Sequence, residues 1–298
     1  MIDLRGMMTE SRNPASMDLD EMSALQIATV MNSEDRKVPE AIESQLPMIA
    51  EAIDLCAEGI RRGGRIIYIG AGTSGRLGIV DASECPPTFG VPSDMVIGLM
   101  AGGGEAMHKA VEGSEDSREL CVSDLKRLNL SSADTVIGLA ASGRTPYVIG
   151  GLEYANEIGC NTVSIACNSN SVIGKVAKIK IEAIVGPEVL TGSTRLKSGT
   201  AQKLILNMIT TGTMVRLGKC YQNLMVDLVQ SNSKLKVRAQ NIVIDATGVS
   251  MEEAIEVLEK ADGSVKTAIV MILADCTCAE AQNRLSKAEG HVRQAVRL

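Results

Sequence analysis

Five short apolar runs that alternate with helical patterns constrain this chain more than any other feature. They lie at residues 65–69, 95–100, 135–139, 162–166 and 179–184. Runs of this kind, rich in β-branched residues and too short for a core helix, read as strands buried between two layers. Apolar residues at helical spacing fill residues 75–83, 105–111, 117–128, 145–158 and 199–217. Alternation of this kind predicts an α/β fold with a parallel five-stranded sheet flanked by helices, because crossover helices cover both faces. Ligands of such sheets bind at the carboxyl ends of the strands.

The flanks read differently. Residues 1–32 are polar and mixed, and Thr9-Glu10-Ser11-Arg12-Asn13-Pro14 reads as an extended, loosely packed arm. Ile42, Leu46, Ile49, Ala52, Ile53, Cys56 and Ile60 recur at helical spacing, with a bend expected at Pro47 and a stop at Gly63-Gly64. Past Tyr221 the pattern is helical throughout, and Ser250 ahead of Met251-Glu252-Glu253 looks like a capped helix start. Residues 249–298 are expected to form a small three-helix bundle. The resulting division is an N-terminal arm and helix over 1–45, an α/β domain over 46–225 and a helical domain over 226–298.

Composition excludes several classes of function. The 298 residues are 45% hydrophobic and 22% charged, and no apolar run approaches the about 20 residues that span a bilayer. The amino terminus lacks the basic and then apolar order of a secretory signal, so a cytoplasmic protein with no membrane partner is expected. A net charge of −6, with four Tyr, one Phe and no Trp, argues against a nucleic-acid groove, which needs basic surface and stacking rings. Any sugar must be held by hydroxyls, amides and charges. Eight scattered cysteines without a Cys-x-x-Cys pair read as reduced thiols, and two distant histidines argue against a metal cage or a histidine-based triad. No metal or other cofactor is expected.

Small polar residues cluster at the strand ends. Gly70-Ala71-Gly72-Thr73-Ser74-Gly75 fits the dinucleotide pattern G-x-G-x-x-G, but the acidic residue expected after the second strand is missing, since that run ends in Ala101-Gly102-Gly103-Gly104. Thr73 and Ser74 instead place two hydroxyls at a helix start, where a phosphomonoester takes hydroxyl and backbone N–H bonds together. Ser142-Gly143-Arg144-Thr145 repeats that arrangement after the third strand. Asn168 follows the fourth strand, and Arg195 and Lys197 stand in the polar segment 191–200 ahead of a long helix. Two carboxylates stand out: Glu84, fixed by Pro86-Pro87 behind it, and Glu115 in the acidic segment 112–119.

These segments resemble the N-acetylmuramic acid 6-phosphate etherase family, a branch of the sugar isomerase (SIS) domain proteins. The likeness is most specific in Gly70 to Gly78 joined to Asp81-Ala82-Ser83-Glu84-Cys85-Pro86-Pro87, and it extends over residues 111–118, 140–147 and 191–207. It implies an SIS-type sheet, a UBA-like helical bundle at the C-terminus, and a lyase that cleaves a lactyl ether from a 6-phosphosugar. By the same resemblance Glu84 protonates the departing lactate and Glu115 takes the C2 proton, so one carboxyl is protonated while the other is ionised. Thr73, Ser74, Ser142, Gly143 and Thr145 are implied to hold the phosphate, Arg195 and Lys197 the lactate carboxylate or the phosphate, and Asn168 a sugar hydroxyl or the acetamide. A homodimer is implied as well. A non-catalytic phosphosugar-sensing regulator similar to glucokinase regulatory protein and an SIS aldose–ketose isomerase are the alternatives; the paired glutamates favour elimination chemistry. His108, close to Glu115 in sequence, reads as a helix-surface residue.

Overall fold

The fold is known from a computed structural model that describes residues 7–109, 111–230 and 233–298. The amino-terminal stretch 1–6 and Ala110, within the helix expected at 105–111, lie outside the described residues. The chain divides into two compact units, Met1–Ser83 with Asp94–Thr210 and Glu84–Ser93 with Thr211–Leu298.

The first unit is built on the expected parallel sheet. Ahead of it come α1 (Ala24–Asp35), α2 (Lys37–Glu43) and α3 (Leu46–Arg61). Then follow β1 (Ile66–Gly70), α4 (Gly72–Phe89), β2 (Val96–Met100), α5 (Arg118–Arg127), β3 (Thr135–Leu139), α6 (Pro146–Ile158), β4 (Asn161–Ala166), α7 (Val172–Val176), β5 (Ile179–Glu182) and α8 (Lys197–Arg216). The strand order is β2-β1-β3-β4-β5, all parallel, with Ile66 opposite both Val96 and Thr135. All five residues of β1 and of β3 are buried, which is why both runs are apolar without alternation. The edge strand β5 does alternate, with Ile179 and Ile181 buried and Lys180 exposed, a charge that blunts a free sheet edge. On one face Ile67, Ile69, Val136, Tyr147, Val148 and Leu152 form a core cluster with Cys121 and Leu125. At the amino ends of the strands Asp134 accepts from the Arg65 backbone N–H, Nε and Nη2, fixing β1 against β3.

Four local expectations are corrected. The arm is not loose: Thr9, Asn13 and Ser16 are buried, and Asn13 Nδ2 donates to Glu34 Oε2 and to Pro187 O at 2.9 Å each, while Ser16 Oγ donates to Val189 O. Its polar side chains find partners in a loop more than 170 residues away, which no local pattern announces. Residues 24–35, which overlap the polar stretch 1–32 where no helix was expected, form α1, started by a Ser23–Gln26 capping box. The helix α4 does not stop at Ser83 but continues through Pro86 and Pro87 to Phe89, and Gly90 at φ +61° ends it. The described residues of the segment 105–111 form no α-helix; a 3-10 turn covers Gly103–Met107, because Gly102 and Gly103 sit at positive φ and Arg76 draws off the carbonyls of Ala106 and Met107.

The second unit contains a two-stranded antiparallel hairpin, β6 (Cys220–Tyr221) and β7 (Leu224–Met225), and the helices α9 (Ser233–Thr247), α10 (Met251–Lys260), α11 (Val265–Ala274), α12 (Cys278–Lys287) and α13 (Val292–Arg297). Ala239, Val243, Ala254, Ala268, Ile269 and Val292 are among its fully enclosed core. Over 249–298 four helices form where three were expected, because Asp262-Gly263, Asp275 and Glu289-Gly290 adopt positive φ and end each helix early. The eight cysteines are all free thiols.

Candidate active site

The order β2-β1-β3 reverses direction between β1 and β3, so the crevice of this sheet opens where the turns after those two strands diverge. The turn after β1 is the glycine-rich one. Gly70 and Gly75 approach so closely that a Cβ on Gly70 would meet the Gly75 nitrogen at 2.8 Å. Gly72 adopts φ +53° and is the first residue of α4. One residue, Ala71, separates strand from helix, so the N–H groups of the first turn of α4 stand close to the strand's end.

A cavity opens at this helix start. Ala71, Gly72 and Arg76, Met100 and Ala101, and Val111 to Glu115 line it. Glu115 is exposed on a 3-10 turn, Ser114–Asp116, whose preceding Gly113 sits at φ +76°. Arg76 was not anticipated. Its Nε donates to Met107 O at 3.0 Å and its Nη2 to Ala106 O at 2.6 Å, so α4 itself holds one wall of the cavity. An arginine one turn into a helix that follows a glycine-rich loop is the signal available in sequence, though it points equally to an anion. His108 lies exposed at the end of the 3-10 turn Gly103–Met107.

Ser74 is buried, and its hydroxyl donates to Gln202 Oε1 of α8 at 2.8 Å. Thr73 is half-buried, with its methyl near Gly199 of α8. After β3, Gly143 adopts φ +73°, and a Cβ there would come within 2.4 Å of the Ser171 Cβ, so only glycine fits. Ser142 Oγ accepts from the Arg144 N–H, and Thr145 is the N-cap of α6, with Pro146 as its first residue. Ser142, Arg144 and Asn168 line a second, polar cavity together with Ser11 and Ser171.

Asn168 is committed on both sides of its amide. Nδ2 donates to Thr9 Oγ1 at 3.0 Å and to Ala141 O at 3.2 Å, and Oδ1 accepts from the Thr9 N–H at 3.4 Å. Lys197 is 1% exposed, and its Nζ lies 2.7 Å from Glu34 Oε2. Burial alone would raise the Glu34 carboxyl, but donors from Lys197, Lys37 and Asn13 outweigh it and hold it down at about 2. Glu188, fully buried, accepts from the Lys197 and Ser198 backbone N–H groups, capping α8 at 2.9 Å each. Arg195 is exposed just before that helix. Glu84 is exposed on the C-terminal part of α4 and belongs to the second unit. The structure thus brings Gly72 and Glu115 into one cavity and Ser142 and Asn168 into another, whereas Lys197 is enclosed by Glu34.

Comparison with known proteins gives a consistent picture. Residues 48–156 match the glucokinase regulatory protein N-terminal SIS domain, and residues 122–212 match the SIS domain. The N-acetylmuramic acid 6-phosphate etherase of Clostridium beijerinckii is 58% identical over 295 residues, covering 99% of this chain and 97% of the relative. The enzyme of the same name from Exiguobacterium sp. is 59% identical over 288 residues, covering 97% and 98%. Among solved structures, a protein of E. coli CFT073 solved as a ligand complex superimposes with a TM-score of 0.50 at 18% identity, over 65% of this chain and 93% of that one.

Proposed function

The chain belongs to the N-acetylmuramic acid 6-phosphate etherase family, and we propose that it cleaves the lactyl ether of N-acetylmuramic acid 6-phosphate to N-acetylglucosamine 6-phosphate and D-lactate. The observation that supports this most is the cavity shared by Glu115 and Gly72 at the open start of α4. Such a place offers backbone N–H groups to a phosphate and a carboxylate to a carbon acid.

In the open-chain sugar the C2 proton is acidified by the C1 aldehyde. Glu115 takes that proton; the C2 electrons form the C2=C3 double bond as the C3–O bond breaks; and Glu84 gives its proton to the departing lactate oxygen. Water then gives its hydroxyl to C3 of the unsaturated aldehyde and its proton back to Glu84, while Glu115 returns a proton to C2, which restores the sugar and both carboxyls. The Gly72–Ser74 helix start, with Thr73, Ser142, Gly143 and Thr145, holds the 6-phosphate. Asn168 and Lys197 are assigned an indirect role, fixing the N-terminal segment beside the site, because their polar atoms are engaged by Thr9 and Glu34. Arg195, exposed ahead of α8, is the remaining cation for the lactate carboxylate.

Among the described residues no helix is long and apolar enough to cross a membrane. A cytoplasmic homodimer is part of the proposal, supported by the family resemblance; co-fractionation with membranes would contradict the location.

Incubation with N-acetylmuramic acid 6-phosphate in deuterated water tests the reaction. Elimination and re-addition place deuterium at C2 of the N-acetylglucosamine 6-phosphate as D-lactate appears. Lactate without deuterium means direct displacement. The match of residues 48–156 to a regulatory protein's SIS domain favours one second reading, phosphosugar sensing without turnover. Binding of a phosphosugar with no lactate release would establish it instead.

A further inference from the structure

Ser74 presents a difficulty for phosphate binding. A phosphate dianion accepts hydrogen bonds, yet the Ser74 hydroxyl donates inward, to Gln202 Oε1 at 2.8 Å. Gln202 is 1% exposed, and its Nε2 is a buried donor without a partner among the described residues. Ser198 is fully buried, and its hydroxyl likewise lacks a partner. A buried donor left unmade forfeits its hydration with nothing in return. Two orphans therefore flank the one hydrogen bond that holds the Ser74 proton away from solvent.

A half-turn of the planar Gln202 carboxamide gives the buried Nε2 a partner. It exchanges the positions of Oε1 and Nε2, so that Nε2 donates to Ser74 Oγ and the Ser74 proton is released toward an anionic acceptor. Ser198 stands four residues before Gln202 on α8 with its hydroxyl unpaired, but it is outside hydrogen-bond geometry of the carboxamide as it stands, so its side chain must rotate to reach the turned Oε1. α8 already packs beside the turn, with Gly199 at the Thr73 methyl.

We propose that Gln202 is a positioning residue for phosphosugar binding: its carboxamide turns to donate to Ser74, so that Ser74 Oγ presents its proton to the phosphate. The assignment rests on the phosphate role of Ser74 but not on the lactate chemistry. It makes the first turns of α8 part of the recognition machinery although none of their side chains need touch the ligand.

Calorimetric binding of N-acetylglucosamine 6-phosphate to the full chain tests it, with no turnover involved. Gln202→Met removes the donor, and the dissociation constant should rise about tenfold, as for one oriented hydrogen bond to a charged group. In a Ser74→Ala background the same substitution should have no further effect, because its only route to the ligand has gone. Gln202→Glu keeps an acceptor but removes both donors, so it should weaken binding at least as much; it also carries the test if the methionine variant does not fold. Wild-type affinity in Gln202→Glu, or a methionine effect that adds in full to Ser74→Ala, would overturn the proposal. A wild-type chain that binds the sugar phosphate yet releases no lactate from the etherase substrate leaves this inference standing and removes the activity. Absence of binding by the wild type removes the phosphate role of Ser74 and this inference with it.

Discussion

Glu84 and Glu115 carry different duties in the proposed reaction, and at the scale of single residues those duties separate by measurement. Glu115→Gln removes the base, so both C2 exchange with deuterated water and lactate release should fall by about 10²–10⁴-fold. Glu84→Gln removes the acid that frees lactate, so lactate release should fall by a similar factor while C2 exchange persists. Exchange lost in the Glu84 variant and kept in the Glu115 variant would reverse the assignment. Neither role is readable from an exposed glutamate taken alone, since most exposed glutamates are solvated surface. What distinguishes Glu115 is the glycine before its turn, at φ +76°, which sets the 3-10 turn against the amino end of α4.

At the scale of elements, a buried ion pair is among the contacts that fix the N-terminal segment. Glu34 of α1 joins Lys197 at the start of α8 and Asn13 of the segment, and Lys37 adds a half-exposed contact at 2.6 Å. Removing one partner of a buried pair strands the other charge, so Lys197→Met should lower stability by about 3–5 kcal/mol. By contrast the exposed Lys260–Glu256 pair on α10 should contribute little that a double-mutant cycle can detect. Because the Glu34 carboxyl is held at about 2 in the fold and has an ordinary value of 4.5, its stabilisation is fully present above the ordinary value. It is lost progressively as pH falls from 4.5 through about 2. Urea unfolding of wild type and Glu34→Gln across that range should show a pH-dependent difference that closes toward the acid end. A difference that stays constant would remove Glu34 from the acid response, and a Lys197→Met variant of wild-type stability with weakened substrate binding would return Lys197 to the site.

At the scale of the whole molecule, large apolar side chains remain exposed, including Leu25 at 78% and Val80 at 51%. Single exposed residues are ordinary on a monomer, so they support the homodimer proposal only alongside the family resemblance. Sedimentation equilibrium should return twice the chain mass at micromolar concentration. A monomer that retains full lactate release would remove pairing from the mechanism.

Much of this fold was legible in the order of residues. Strands buried on both faces must be apolar throughout, and helices that cover them must be amphipathic, so the five runs and their alternation carried the sheet. The glycine-rich turn was equally legible, since Gly70, Gly75 and Gly143 stand where a Cβ would collide with neighbouring atoms. Illegible were the partners chosen across long separations. Asn168 and Lys197 look from their neighbours like ligand-binding residues, and only the folded chain presents Thr9 and Glu34 to them. Arg76 looks like an anion ligand and is spent on two carbonyls about thirty residues away. Local pattern reports burial and backbone conformation, because those depend on a residue's own shape and period. A polar side chain's duty depends on which donor or acceptor reaches it first, and that was decided by tertiary structure alone.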